Sequence, residues 1–218
     1  MSDASLSPNA PRTSPLRPCP TPIRGARVVL RPFDLPDLRD LRQAVEETRP
    51  ALYRFLPWGD EHRSDENTEA FLVKARKAFD ACTMFALAIH AIDGGRFLGG
   101  TGLNVRDAAA RYFEIGYWIR ASAEGNGFVQ EAVRLVTAAG FEHLEANRVE
   151  LRCDTTNERS LRVAKRAGYV FEGTNRSAAV RCDGTIRDLA VFAMVRADYK
   201  AAKPRWAAEE RARGAPAT

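Results

Sequence analysis

Between Tyr112 and Glu145 the chain passes from an alternating, aromatic-rich run (YFEIGYWIR, 112–120) through a glycine-bearing turn (EGNGFV, 124–129) into residues with helical spacing. A strand must therefore feed a helix almost directly, and the apolar positions Val129, Val133, Val136, Gly140 and Leu144 give that helix one buried face. Such a junction has chemical consequences. Glycines let a turn approach an anion closely, and the unpaired N–H groups of a helix start, with the helix dipole, suit a phosphate. On its own the G-N-G string is a weak signal, because glycines before a helix are usually only a turn.

The flanking segments say what this unit packs against. Arg27 to Pro32 reads as a strand, and Asp34 to Thr48 as a helix carrying Leu35, Leu38, Leu41 and Val45, with Asp34 able to cap it. A loop holding Leu56, Pro57 and Trp58 leads to a second helix, about 66–80. Residues 84–92 and 96–104 flank Asp93, Gly94 and Gly95 and read as a hairpin. After the central helix come a strand at 149–153, a short helix at 158–167 stopped by Gly168, a strand opening at 169–171, and a final strand at 186–195 beyond the Asp183-Gly184 turn. The sum is an α+β layer fold with a mixed sheet of about seven strands and about four helices.

The length of 218 residues and 45% hydrophobic content suit one domain. Six of the twelve prolines fall between Pro8 and Pro22 in a Ser/Pro/Thr-rich segment, so residues 1–25 read as a disordered leader, 26–198 as the domain and 199–218 as a basic tail. The net charge of +5 resides in those two ends, which argues against a basic stripe on the domain and leaves weak ribosome or RNA contact to the tails. Cys19, Cys82, Cys153 and Cys182 lack metal or disulfide-framework spacing, and no signal-peptide core or membrane-length apolar run is present. A cytoplasmic location, a soluble monomer or homodimer, no membrane contact and no metal are the expectations.

The strings FEIGYWI (113–119), GNGFVQEAV (125–133), NRVELRCDTTNERSLRVAKRAGYVFEG (147–173) and DLAVFAM (188–194) agree in order and spacing with a known family. Over nearly all of residues 26–197 the chain resembles the GNAT acetyltransferases. Within them it is similar to the branch that acetylates N-terminal alanines of ribosomal proteins. The resemblance implies a GNAT fold, mostly antiparallel, and acetyl-coenzyme A as cosubstrate. It also implies that Glu124, Gly125, Asn126, Gly127, Phe128 and Val129 hold the coenzyme A diphosphate. Tyr117, Trp118 and Ile119 would pair with the pantetheine arm, and Asn157 and Ser160 would flank the thioester. Two departures stand out: the superfamily usually has Gln or Arg at Glu124 and Gly or Ala at Val129. An acidic side chain close to a diphosphate weakens binding unless it turns away.

Acetyl transfer needs a neutral amine, an oxyanion donor and a proton for the leaving thiolate. The resemblance places the donor at a backbone N–H near Trp118. Ala164 stands where many members carry an acidic tyrosine, so Ser160 is the candidate acid; its alternative use is a helix-start serine bonded to the backbone. The branch's glutamate base is matched by Ala179, and Glu114 is the substitute, with a structural ion pair as its alternative. Asp188 reads as structural. Because an α-amine of pKa about 7.8 costs roughly 1.1 kcal/mol to present neutral at pH 7, against roughly 4.6 for a lysine, the missing base favours an N-terminus or a low-pKa small amine as acceptor.

Trp58 is the candidate acceptor-side residue, and the neighbouring Asp60, Glu61, Asp65 and Glu66 would make an acidic wall for a cationic acceptor, or simply a solvated helix start. His62, His90 and His143 show no catalytic pattern. The expected function is acetyl-coenzyme A-dependent N-acetyl transfer to a primary amine by direct attack in a ternary complex. A non-catalytic acyl-coenzyme A sensor of the same fold is the alternative, motivated by Ala164, Ala179 and Glu124.

Overall fold

Capping residues set most of the element boundaries in the computed structural model, which describes residues 15–214. Asp34 caps a single 3-10 turn (Leu35–Asp37) rather than the long helix: its carboxylate accepts from the Leu35 N–H at 2.8 Å, and Asp37 reaches back to the Asp34 N–H at 3.0 Å. Helix α1 (Leu38–Phe55) follows and runs past Thr48, through Pro50. Its last turn holds because Leu52 is buried there and the Thr48 hydroxyl donates back to Ala44 O. Ser64 caps α2 (Asp65–Asp80).

The strands are β1 (Ile23–Arg24), β2 (Val28–Pro32), β3 (Met84–Ala91), β4 (Phe97–Asp107), β5 (Tyr112–Ile119), β6 (Arg148–Asp154), β7 (Val170–Val180) and β8 (Ile186–Val195). Helix α3 (Phe128–Glu142) sits between β5 and β6, α4 (Glu158–Ala167) between β6 and β7, and α5 (Arg196–Gly214) follows β8. One sheet runs in the order β1-β2-β3-β4-β5-β6-β8-β7. Only β5 and β6 are parallel; every other neighbouring pair is antiparallel. This is the expected α+β GNAT architecture, with eight strands and five helices among the described residues.

Side chains on the pleated strands alternate between two cores. Phe85, Leu87 and Ile89 of β3 join the larger cluster with Phe113, Val133, Phe141 and Phe192. Met84, Ala86 and Ala88 face the other side, where Phe33, Leu41, Leu52, Leu72 and Phe97 lie under α1 and α2.

The domain limits extend beyond the expected 26–198. Cys19 is buried, Leu16 and Ile23 pack against the larger core and Ile23–Arg24 pair with β2, so the leader is anchored to the domain at these points; residues 1–14 lie outside the described residues. The expected tail is α5, because Tyr199, Ala202 and Trp206 recur at helical spacing and are buried. Its charges hid that stripe. The Trp206 Nε1–H donates to Ala167 O at 3.2 Å, and the Arg196 guanidinium reaches Phe141 O and Ala146 O at the end of α3. Among the described residues, no helix is long and apolar enough to cross a membrane. Trp206→Ala should destabilise the domain by about 3–5 kcal/mol, the range for truncating a buried large aromatic, with a correspondingly lower thermal midpoint by circular dichroism.

Candidate functional site

The parallel pairing of β5 with β6 ends early. Tyr112, Phe113 and Glu114 register with Arg148, Val149 and Glu150, and beyond Glu114 the two strands part, while β5 stays paired to β4 as far as Ile119. The Arg120 N–H donates to Leu98 O on the β4 side at 2.7 Å. By the alternation of an antiparallel pair, the N–H groups of Tyr117 and Ile119 then point to the open edge, and that of Trp118 points to β4. The free donors flank Trp118 rather than belonging to it.

A groove of about 920 Å³ opens along this edge. At one side it meets the start of α3, where Gly127 is the N-cap with φ 76° and no side chain caps the helix. The first-turn N–H groups are thereby left for a ligand. Gly125 also has positive φ, at 80°, and a Cβ added there would meet nothing within 4 Å, so the turn leaves an open cradle. Glu124, Gly125, Gly127, Phe128 and Val129 line the groove. Asn126 does not: its amide folds back to Ala123 O and Glu124 O at 3.3 and 3.1 Å, holding the turn in shape.

Glu124 is an ion-pair partner of Arg159 on α4, which offsets the acidic charge that the sequence places beside the diphosphate position. Arg159, Arg162 and Arg166 all line this side of the groove. The turn is anchored from behind by Glu47 of α1, which accepts from Arg120 Nη2 at 2.6 Å and from the Ser122 N–H at 2.5 Å. The Arg120 guanidinium is the main cause that holds this carboxyl down to about 2. A depressed carboxyl contributes stability that is fully present above its ordinary value near 4.5 and is lost as pH falls toward about 2. Glu47→Gln should therefore flatten the acid limb of a stability-versus-pH curve in that window, measured by urea unfolding.

Ser160 stands opposite β5. Asn157 caps α4 by accepting the Ser160 N–H at 3.1 Å, which leaves the serine hydroxyl free for other work. That hydroxyl lies 2.8 Å from the Tyr117 phenol oxygen. Burial pushes the phenol well above its usual range and also raises the Cys153 thiol beside it, so both keep their protons near neutral pH. Motif order places Tyr117 on the pantetheine strand but carries no sign of this pairing, because Tyr117 and Ser160 are 43 residues apart. Ala164, where other members carry a tyrosine, is fully buried. Tyr117 brings a phenol to the groove from the facing strand.

Glu114 lines the groove with Arg106 and Arg152 at 3.7 and 3.9 Å. Trp58 lines it too, edge-on to Trp118 with centroids 5.9 Å apart. The acidic wall does not form: Asp60 pairs with Arg63, Asp65 with Arg42 at 2.5 Å, and none of Asp60, Glu61, Asp65 and Glu66 lines the groove. Asp188 accepts the Ser177 N–H at 2.8 Å in the β7–β8 hairpin, a structural use. No group of three or more His, Cys, Asp or Glu among the described residues is placed to hold a metal ion.

The model of the acetyltransferase (GNAT) domain matches residues 27–170, which contain both the open strand edge and the uncapped helix start. The chain belongs to the GNAT acetyltransferase family. The chain is 25% identical over 177 residues, 81% of its length and 95% of the relative's, to the "Putative ribosomal N-acetyltransferase YdaF" of Bacillus subtilis (strain 168). It is 24% identical over 146 residues to the ribosomal-protein-serine acetyltransferase of Escherichia coli (strain K12), covering 65% of this chain and 78% of that one. Among solved structures, the RimL ribosomal L7/L12 alpha-N-protein acetyltransferase in complex with coenzyme A superposes with a TM-score of 0.73 at 21% identity, over 79% of this chain and 97% of that one.

Removing the Tyr117 hydroxyl should separate packing from chemistry. Tyr117→Phe and Ser160→Ala should each lower kcat by about 10²-fold, with the double variant little worse than either, because the two hydroxyls act as one unit. Steady-state kinetics on the three proteins checks this.

Proposed function

We propose that the groove binds acetyl-coenzyme A and that the protein transfers its acetyl group to the α-amine of a protein N-terminus. The observation that carries this is the parting of β5 and β6 after Glu114, beside the uncapped, glycine-cradled start of α3. The open edge suits the amide-bearing pantetheine arm, which can pair as a strand would, and the α3 N–H groups suit the diphosphate. Arg159 is matched by Glu124 and Arg162 by Glu158, so that with Arg166 the balance on that side is positive, as a polyanionic cosubstrate needs. The names of the ribosomal-protein relatives support a protein acceptor, and that of RimL, an alpha-N-protein acetyltransferase, supports its α-amine.

When bound, the cosubstrate supplies an activated acyl thioester. The free N–H of Tyr117 or Ile119 is positioned to face the carbonyl oxygen as charge develops on it. The Ser160 hydroxyl gives a proton to the departing sulfur and takes one back from the Tyr117 phenol at 2.8 Å, and the phenol recovers its proton from water when the products leave the groove. Glu114, on the same strand and held only loosely by its two arginines, takes the amine's proton. Trp58 and Trp118 form the apolar wall that keeps water from the reacting atoms.

Calorimetric titration with acetyl-coenzyme A, followed by free-thiol release with a mixed panel of N-terminal peptides and small amines, tests the reading. Binding with turnover on peptide α-amines is expected; turnover chiefly on lysine side chains, or no binding, contradicts it. Gly125→Val should weaken acetyl-coenzyme A binding at least tenfold in the same titration. It fills the cradle and strains a backbone at φ 80°, while the fold, read by circular dichroism, persists.

A further inference from the structure

On the side of the groove walled by the loop after α1 and the β7–β8 hairpin, Arg187 is a buried cation without an adequate partner. Only 8% of the residue is exposed, and it lines the groove. Its Nη1 donates to Phe55 O at 2.5 Å, while its Nε has no hydrogen-bond partner. The nearest carboxylate, Asp154, stands 3.9 Å away. Asp154 is already engaged by Arg181 at 2.7 Å and by the Thr156 N–H and hydroxyl at 2.8 and 2.7 Å. Those bonds hold the Asp154 carboxyl below its ordinary range against the effect of burial, so its negative charge is spent on them. Across the ladder from Arg187 on β7 lies Ala179, which offers no charge.

Around this point the groove is lined by Arg106, Arg152 and Arg187 against Glu114 and Asp154, and Asp154 is shared with Arg181. Leaving a buried guanidinium with an unmade donor is costly, and a planar fork recognises a carboxylate with two parallel bonds. We infer that Arg187 is a specificity residue that receives a carboxylate carried by the acceptor, so that the preferred substrate is an amine with an acidic group close to it, such as an acidic N-terminal peptide. This inference rests on the acetyltransferase reading of the groove and names the substrate class within it. It reverses the expectation of a cationic acceptor.

The test compares Ser-Asp-Ala-amide with Ser-Asn-Ala-amide, which differ only in a side-chain carboxylate, and Ser-Ala with its amide, which differ only in a terminal one. With wild type, one of the carboxylate-bearing partners should be acetylated with a kcat/KM roughly 10- to 100-fold higher, the range for a hydrogen bond to a charged group. Which pair shows the preference tells a side-chain carboxylate from a chain end. Arg187→Gln should bring the ratio close to one, and Arg187→Lys should restore it in part. Because Arg187 also holds Phe55 O, Ala179→Glu provides a second variant: it keeps the arginine, occupies it from across the ladder, and should likewise abolish the preference. Binding read by quenching of tryptophan fluorescence, with the N-acetylated peptides and coenzyme A, reports the same discrimination without turnover. Equal treatment of both pairs, or a preference for the neutral members, overturns the inference while leaving acetyl transfer intact. Failure of coenzyme A to bind removes the groove reading itself, and the inference with it.

Discussion

Everything in the groove depends on one interrupted ladder. A parallel pair that continued to Ile119 would seal β5 between two neighbours and satisfy all its backbone groups, leaving no donor for a ligand. Pairing instead stops at Glu114, and the two strands diverge around the space that α3 and α4 face with their N-terminal ends. The exposed edge is short, recessed and flanked by helices, which makes it a template for one extended ligand rather than for a second sheet.

The electrostatics follow a division along that space. Near the start of α3, the acidic Glu124 is matched by Arg159, so a feature that reads in isolation as unfavourable to a polyanion is compensated from another helix. Toward the β7–β8 hairpin the compensation is incomplete, and Arg187 keeps its charge facing the groove. Neither relation can be read along the chain, because the partners sit on different elements.

Local signals carried most of the fold. Hydrophobic period, turn glycines and caps located the strands, the boundaries of α4 to the residue, and the turn that starts α3. Three departures share a cause in tertiary packing. Helix α1 outlasts Pro50 because Leu52 has a core to enter; α5 forms although its composition is that of a basic tail; and the two-residue β1 exists only because β2 offers it an edge. Of the residues that line the groove, Ser160, Glu114, Trp58 and the glycine turn could be named from motif order. The Tyr117–Ser160 contact, the unsatisfied Nε of Arg187 and the turn of the Asn126 amide away from the groove were not, since each depends on which face of an element meets which neighbour.

Helix α5 contributes nothing to the groove, yet it grips the far ends of both helices that do: Arg196 and Tyr199 hold the end of α3, and Trp206 holds the end of α4. A helix is a stiff rod, so fixing one end orients the other. The protein therefore has a remote handle on the geometry of its groove: whatever loosens the seat of α5 loosens the aim of α3 and α4, although no α5 residue lines the groove.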